Sequence, residues 1–133
     1  MNKYCILIVE DHKVYASALL RLLSTNHDLE IVAVMETAEQ ALDHLNDVSV
    51  DLVLADISLP SMSGIDLIGV LHEKYPELPS AILSGHLAAD YVHRAMEAGA
   101  RGYLVKDNPT SILEGIDCIL KGETYISADV DPV

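Results

Sequence analysis

Tyr4-Cys5-Ile6-Leu7-Ile8-Val9-Glu10-Asp11-His12 is the stretch that decides the fold. Its first six residues, rich in Ile and Val, run without a charge and then stop on two carboxylates. An unbroken apolar run of this length marks a strand covered on both faces, as in a parallel sheet between helical layers; a half-exposed strand would alternate. Leu52–Ala55 repeats the pattern and stops on Asp56. Shorter runs of the same kind occupy 31–35, 81–83 and 103–105, and the last two are followed by Ser84 and Lys106.

Between these runs the apolar period changes from continuous to helical. Val14, Ala18 and Leu22 with Tyr15 and Leu19 form one stripe, and Ala38, Ala41, Leu42 and Leu45 a second. Leu67, Ile68 and Leu71, then Val92, Ala95 and Met96, then Ile112, Leu113, Ile116, Ile119 and Leu120 give three more. Thr37 with Gln40 reads as a capping box, Asn108-Pro109 as an N-cap and first helical residue, and Gly99 as a helix stop. Five strand–helix units with right-handed crossovers predict an α/β fold, a doubly wound, flavodoxin-like five-stranded parallel sheet in the order 2-1-3-4-5. That order makes the ends of strands 1 and 3 neighbours, so Asp11 and Asp56 meet. The periodic part spans residues 1–121 as one domain; 122–133 loses periodicity and reads as a tail or linker stub.

Composition narrows the function. The chain has 133 residues, half of them apolar, enough for one core and one domain. A net charge of -13, from 21 acidic against 8 basic residues, argues against direct nucleic-acid binding, which needs clustered Lys and Arg. Acidity favours Mg²⁺ or a basic partner instead. The run 5–9 meets Glu10 too soon for a signal-peptide core and no stretch has membrane-spanning length, so no membrane association and a cytoplasmic setting are expected. Cys5 and Cys118 lack ligand spacing and read as two buried free thiols. The six histidines, at 12, 27, 44, 72, 86 and 93, show no zinc spacing, and most read as solvated.

In an open parallel sheet, ligands sit beyond the carboxyl ends of the strands, where strand order reverses. Glu10, Asp11, Asp56, Ser84 and Lys106 all fall there. Carboxylates crowded at adjacent strand ends repel one another unless a cation lies between them, and oxygen-only ligands suit Mg²⁺. Glu10, Asp11 and Asp56 are the expected metal ligands, with the Ser58 backbone carbonyl completing the shell. Mg²⁺ and Lys106 would then offset three carboxylates and leave room for an incoming phosphoryl group. Asp56, centrally placed, is the expected nucleophile toward phosphorus, with Ser84 and Lys106 contacting the phosphoryl oxygens.

Glu10-Asp11-His12, Asp56-Ile57-Ser58-Leu59-Pro60 with Gly64, Ser84-Gly85, and Gly102-Tyr103-Leu104-Val105-Lys106-Asp107 together closely resemble the receiver domain of bacterial two-component response regulators. Gly99-Ala100-Arg101-Gly102-Tyr103-Leu104 and Gly122-Glu123-Thr124-Tyr125-Ile126-Ser127 resemble the LuxR/NarL-type subfamily. The resemblance implies a phosphorylation-activated switch rather than an enzyme, one that assists its own phosphorylation and dephosphorylation. Asp56 is implied as phosphoacceptor, Glu10 and Asp11 as the acidic metal pair, Ser84 and Lys106 as phosphoryl contacts, and Ser84 with Tyr103 as the switch pair.

The implied partners are a sensor histidine kinase and a second copy of the chain, in a phosphorylation-dependent homodimer. Transcription is regulated in that subfamily through a C-terminal helix-turn-helix domain, which lies outside these 133 residues. Ser58 and His86 flank the site where relatives differ. A haloacid-dehalogenase-type phosphatase would place a second Asp two residues after the nucleophile, where this chain has Ser58. A nucleotide module would need glycine in 10–15, which has none, and the intact acidic, hydroxyl and lysine set argues against an inert platform.

Overall fold

The computed structural model describes residues 3–131. Along the chain run β1 (Tyr4–Val9), α1 (Lys13–Leu23), β2 (Leu29–Met35), α2 (Ala38–Asp47), β3 (Leu52–Ala55), α3 (Gly64–Lys74), β4 (Ser80–Ser84), α4 (Ala89–Ala98), β5 (Gly102–Val105), α5 (Pro109–Leu120) and β6 (Tyr125–Ile126). The strands are parallel in the order β2-β1-β3-β4-β5-β6. The expected order 2-1-3-4-5 is therefore present, with a short sixth strand added beyond β5. That strand comes from the segment read as a tail; at two residues it is too short to leave a periodic signature.

Alternation along each strand sends neighbouring side chains to opposite faces. Ile6, Ile8, Leu52, Leu54, Leu83 and Leu104 pack on one face with Leu19, Leu23, Ile112, Ile116 and Ile119 of α1 and α5. Leu7, Val9, Val53 and Ala55 pack on the other with Ala38, Ala41, Leu67 and Leu71 of α2 and α3. Further along that second face, Ile82 and Tyr103 meet Ile68 of α3 and Val92 and Ala95 of α4. β3, β4 and β5 are buried throughout, whereas β2, at the sheet edge, is mostly half-buried.

The stops act as their chemistry dictates. Thr37 accepts from the Gln40 amide, and the Gln40 side chain accepts in turn from the Glu36 amide. Asn108 accepts from the Ser111 amide with Pro109 in the first turn, and Gly99 ends α4 at φ 114°, a left-handed geometry that glycine adopts without a Cβ clash. Two expectations shift. The buried face of α1 is Ala16, Leu19 and Leu23, with Val14 87% exposed, because the apolar arc is wider than the sheet contact and Leu19 and Leu23 set the rotation. Cys5 and Cys118 are free but only half-buried, Cys5 lying near the solvent end of β1.

Candidate functional site

The carboxyl ends of β1 and β3 are brought level by pairing of Val9 with Ala55 and a bond from the Asp56 amide to the Val9 carbonyl, 3.0 Å. Glu10 and Asp56 keep the alternation of Ile8 and Leu54 toward the α1/α5 side. Lys106 does the same after Leu104, its amide bonded to the Ser84 carbonyl at 2.9 Å. The three side chains meet: Lys106 Nζ lies 2.6 Å from Glu10 Oε1 and 3.3 Å from Asp56 Oδ2. Glu10 is 2% exposed and Asp56 5%, so Lys106 is a counter-ion built into a largely desolvated carboxylate pair.

Ligand atoms of Glu10, Asp11, Asp56 and His12 all lie within 4.8 Å of one another. Asp11 Oδ1 is buried and accepts no hydrogen bond. An orphaned carboxylate oxygen beside two further carboxylates is the donor set of a hard divalent cation, so the group fits Mg²⁺. The loop after Asp56 is folded tightly against it. The Gly64 amide donates to the Ile57 carbonyl at 2.9 Å, and a Cβ on Gly64 would stand 2.0 Å from the Asp56 carbonyl oxygen. Ser58 is exposed there, its amide 3.4 Å from Asp56 Oδ1.

Ser84 and Tyr103 keep the opposite alternation, with Ile82, toward α4. Ser84 is fully buried and its Oγ accepts from the His86 amide at 3.0 Å. Tyr103 is also fully buried, its hydroxyl donating to the His86 carbonyl at 2.8 Å. Burial pushes the Tyr103 hydroxyl above the ordinary tyrosine range, against a smaller opposing pull from Ser84. The ring therefore stands inward, with both members of the expected switch pair attached to one residue of the β4–α4 loop.

Three participants escaped the sequence reading. Five of the six histidines are exposed, as expected of most of them, but His12 Nδ1 also lies 3.2 Å from Glu10 Oε2 and 3.5 Å from Asp11 Oδ1. Its place beside Glu10-Asp11 at a strand end was the available signal. Tyr15, assigned to a core stripe, lies under Lys106, with Nζ 4.5 Å from the ring centre and the Tyr15 hydroxyl donating to the Lys106 carbonyl at 3.3 Å. Burial first, then the charge of Glu10, raises its pKa. The third is the segment beyond α5. A cavity of about 410 Å³ lined by Leu45, Val50, Tyr75 and Leu78 lies at the opposite, amino edge of the sheet and takes no part in the site.

Residues 6–117 match the family described as the response regulator receiver domain. This chain belongs to that family. It is 30% identical over 130 residues to the transcriptional regulatory protein DegU of Brevibacillus brevis, covering 97% of this chain and 55% of DegU. It is 29% identical over 129 residues to the nitrate/nitrite response regulator protein NarL of Escherichia coli K12, covering 96% of this chain and 60% of NarL. A LuxR-family two-component response regulator from Aurantimonas sp. SI85-9A1 superposes with a TM-score of 0.92 at 26% identity, covering 97% of this chain and 93% of that one. The relatives are thus LuxR/NarL-type regulators, and the receiver spans little more than half the length of the curated ones. Receivers of two-component systems act as phosphorylation-controlled switches. Among the described residues, no helix is long and apolar enough to cross a membrane.

Proposed function

We propose that this receiver accepts a phosphoryl group on Asp56 from the phosphohistidine of a sensor kinase in a Mg²⁺-dependent transfer, and that the adduct reorganises the β4–α4 side of the sheet. The observation that carries this reading is the convergence of Glu10, Asp11, Asp56 and Lys106 at the carboxyl edge, with Lys106 Nζ 3.3 Å from the Asp56 carboxylate. Glu10, Asp11, Asp56 and the Ser58 carbonyl would hold the cation, which neutralises charge on the transferring group.

The chain's own residues do the rest. Buried β3 fixes the Asp56 carboxylate for in-line attack, and one Asp56 oxygen forms the new bond to phosphorus as the bond to the donor nitrogen breaks. Lys106 offers a point charge to a phosphoryl oxygen, and the Ser84 hydroxyl turns from the His86 amide to donate to another. An acyl phosphate carries about two negative charges where the carboxylate carried one, which draws Ser84 toward the site. The setting is cytoplasmic. The output is a homodimer and a DNA-binding domain of the helix-turn-helix kind, consistent with relatives that are transcriptional regulators and with a receiver too acidic to bind DNA itself.

The test is incubation with acetyl phosphate, with Mg²⁺ or with EDTA, followed by intact-mass measurement of the wild type and Asp56→Asn. A metal-dependent phosphoryl adduct present only in the wild type supports the reading. An adduct that persists in the variant refutes Asp56 as acceptor. Continuous release of phosphate from unrelated esters refutes the switch in favour of a hydrolase.

A further inference from the structure

Beyond α5 the chain turns back and binds the sheet edge. The Tyr125 amide donates to the Arg101 carbonyl and the Ser127 amide to the Tyr103 carbonyl, both at 3.0 Å. Four side chains then form a relay in which the Ser111 and Ser127 hydroxyls each accept one bond and donate the next. Tyr125 donates to Ser111 Oγ at 2.8 Å, Ser111 to Ser127 Oγ at 3.0 Å, and Ser127 to Asp129 Oδ2 at 2.7 Å. Asn108, whose oxygen caps α5, gives its amide to the same Asp129 oxygen at 2.8 Å. Hydrogen bonds from Asn108 and Ser127 hold the Asp129 carboxyl below its ordinary pKa, so the relay ends on a charge at neutral pH. Residues 125–129 are thereby fastened to α5 and β5.

The next two residues reach a different part of the fold, although the Val130 amide still donates to the Ser127 carbonyl at 3.3 Å. Val130 packs on the cluster of Ile82, Val92 and Tyr103, and the Asp131 amide donates to the Leu87 carbonyl at 2.8 Å. Leu87 belongs to the loop 85–88, which begins one residue after Ser84. That loop has three other ties: the Ser84 hydroxyl at the His86 amide, the Tyr103 hydroxyl at the His86 carbonyl, and the His86 ring stacked on Tyr91 with centres 4.6 Å apart. Its residues are otherwise exposed, and its last one, Ala88, is the N-cap of α4 and offers no side-chain cap. The loop is thus shared between the group that would meet the phosphoryl and the segment that leads out of the domain.

We propose that residues 130–131 are an internal ligand of the β4–α4 loop, bound while Asp56 is free and released when Asp56 carries a phosphoryl group, with the hinge at Asp129. This rests on the reading of Asp56 and Ser84 given above. When the Ser84 hydroxyl turns to a phosphoryl oxygen, the His86 amide loses its acceptor and the loop, freed of that tie, shifts. The Leu87 carbonyl then leaves the Asp131 amide, while the Ser111–Ser127–Asp129–Asn108 anchor, whose side-chain hydrogen bonds are made without the loop, stays. Residues 130–131 thereby change direction about a fixed pivot. Linkage is reciprocal: docking weakens phosphoryl-mimic binding by the factor by which the mimic weakens docking, so loosening the docked end tightens mimic binding up to that factor.

The test uses the whole chain with Mg²⁺ and beryllium trifluoride as the phosphoryl mimic. Amide exchange is followed residue by residue by NMR, and mimic affinity is measured for the wild type and for Val130→Ala. The expected result is that the Asp131 amide exchanges about fivefold faster with the mimic bound, the effect of losing one hydrogen bond, while Tyr125 and Ser127 are unchanged. Val130→Ala, confirmed folded by its unfolding temperature, binds the mimic a few-fold more tightly. Mimic binding with no change at Asp131 and no gain in the variant overturns the proposal and leaves the phosphoacceptor reading intact. Faster exchange from Tyr125 onward overturns the hinge. Failure of the mimic to bind at all overturns both readings.

Discussion

On the α1/α5 side of the sheet's carboxyl edge, Glu10, Asp56 and Lys106 rise from strand ends that have little freedom to move. The Asp56 amide is tied to Val9, the Glu10 amide to Met35 at 2.9 Å, and Gly64 lies so close to the Asp56 carbonyl that no Cβ fits between them. On the α4 side, Ser84 and Tyr103 are just as deeply buried, but both hold on to a solvent-exposed loop by single hydrogen bonds. Under the proposed function, this contrast divides the site into a half that would react and a half that would report. Its charged half is fixed in advance for chemistry, and its hydroxyl half is attached to the part of the fold that costs least to move.

The sharpest way to break this contrast is to remove one residue from each side. Asp56→Asn should abolish the phosphoryl adduct, whereas Ser84→Ala should still form it in intact-mass measurements but leave the amides of 85–88 unshifted. Lys106→Ala leaves Glu10 as an uncompensated buried charge. It should lower stability in EDTA by roughly 3 kcal/mol in urea unfolding, with Mg²⁺ restoring part of the loss. Gly64→Ala should cost about 1–3 kcal/mol, because the Asp56 backbone has to yield, and it should slow adduct formation as well. Tyr103→Phe strands one carbonyl on the mobile side, for about 1 kcal/mol, with adduct formation unchanged.

Alkaline titration compares the two sides through their tyrosines. Tyr15 beneath Lys106 and Tyr103 beneath the loop both have raised pKa values in the fold. Above the ordinary value of about 10 the unfolded chain releases these protons while the folded chain keeps them. Their contribution to stability is therefore full below that pH and is lost as pH climbs toward the raised values. Tyr15→Phe and Tyr103→Phe should each flatten the alkaline fall in unfolding free energy.

The charged half of the site was readable in the sequence because its signal is local: an apolar run that stops on a carboxylate, twice, and on a lysine, once. Lys106 with Glu10 and Asp56 follows from strand order and alternation alone. Strand order was readable too, since β1 and β3 are apolar throughout and their crossovers are helical. The reporting half is built from long-range polar pairs with no period. Tyr125, Ser127 and Asp129 looked like a tail because their partners, Ser111 and Asn108, lie on a helix whose apolar stripe drew the reading. Tyr15 packs on the core as its stripe implies, but its contact with Lys106 leaves no signal of its own, since an aromatic beside Leu19 serves a core and a lysine equally well.

If these strand ends share one divalent cation beside Asp56, Mn²⁺ bound there broadens the nearby NMR signals paramagnetically. In an NMR titration the amides of Glu10, Asp11, His12, Asp56, Ser58 and Lys106 should disappear first, with those of Leu52 and Ser80 at the far edge of the sheet unaffected. Broadening spread evenly over exposed acidic positions such as Asp43, Asp117 and Glu123, with Asp56 no more affected than they are, would contradict that sharing.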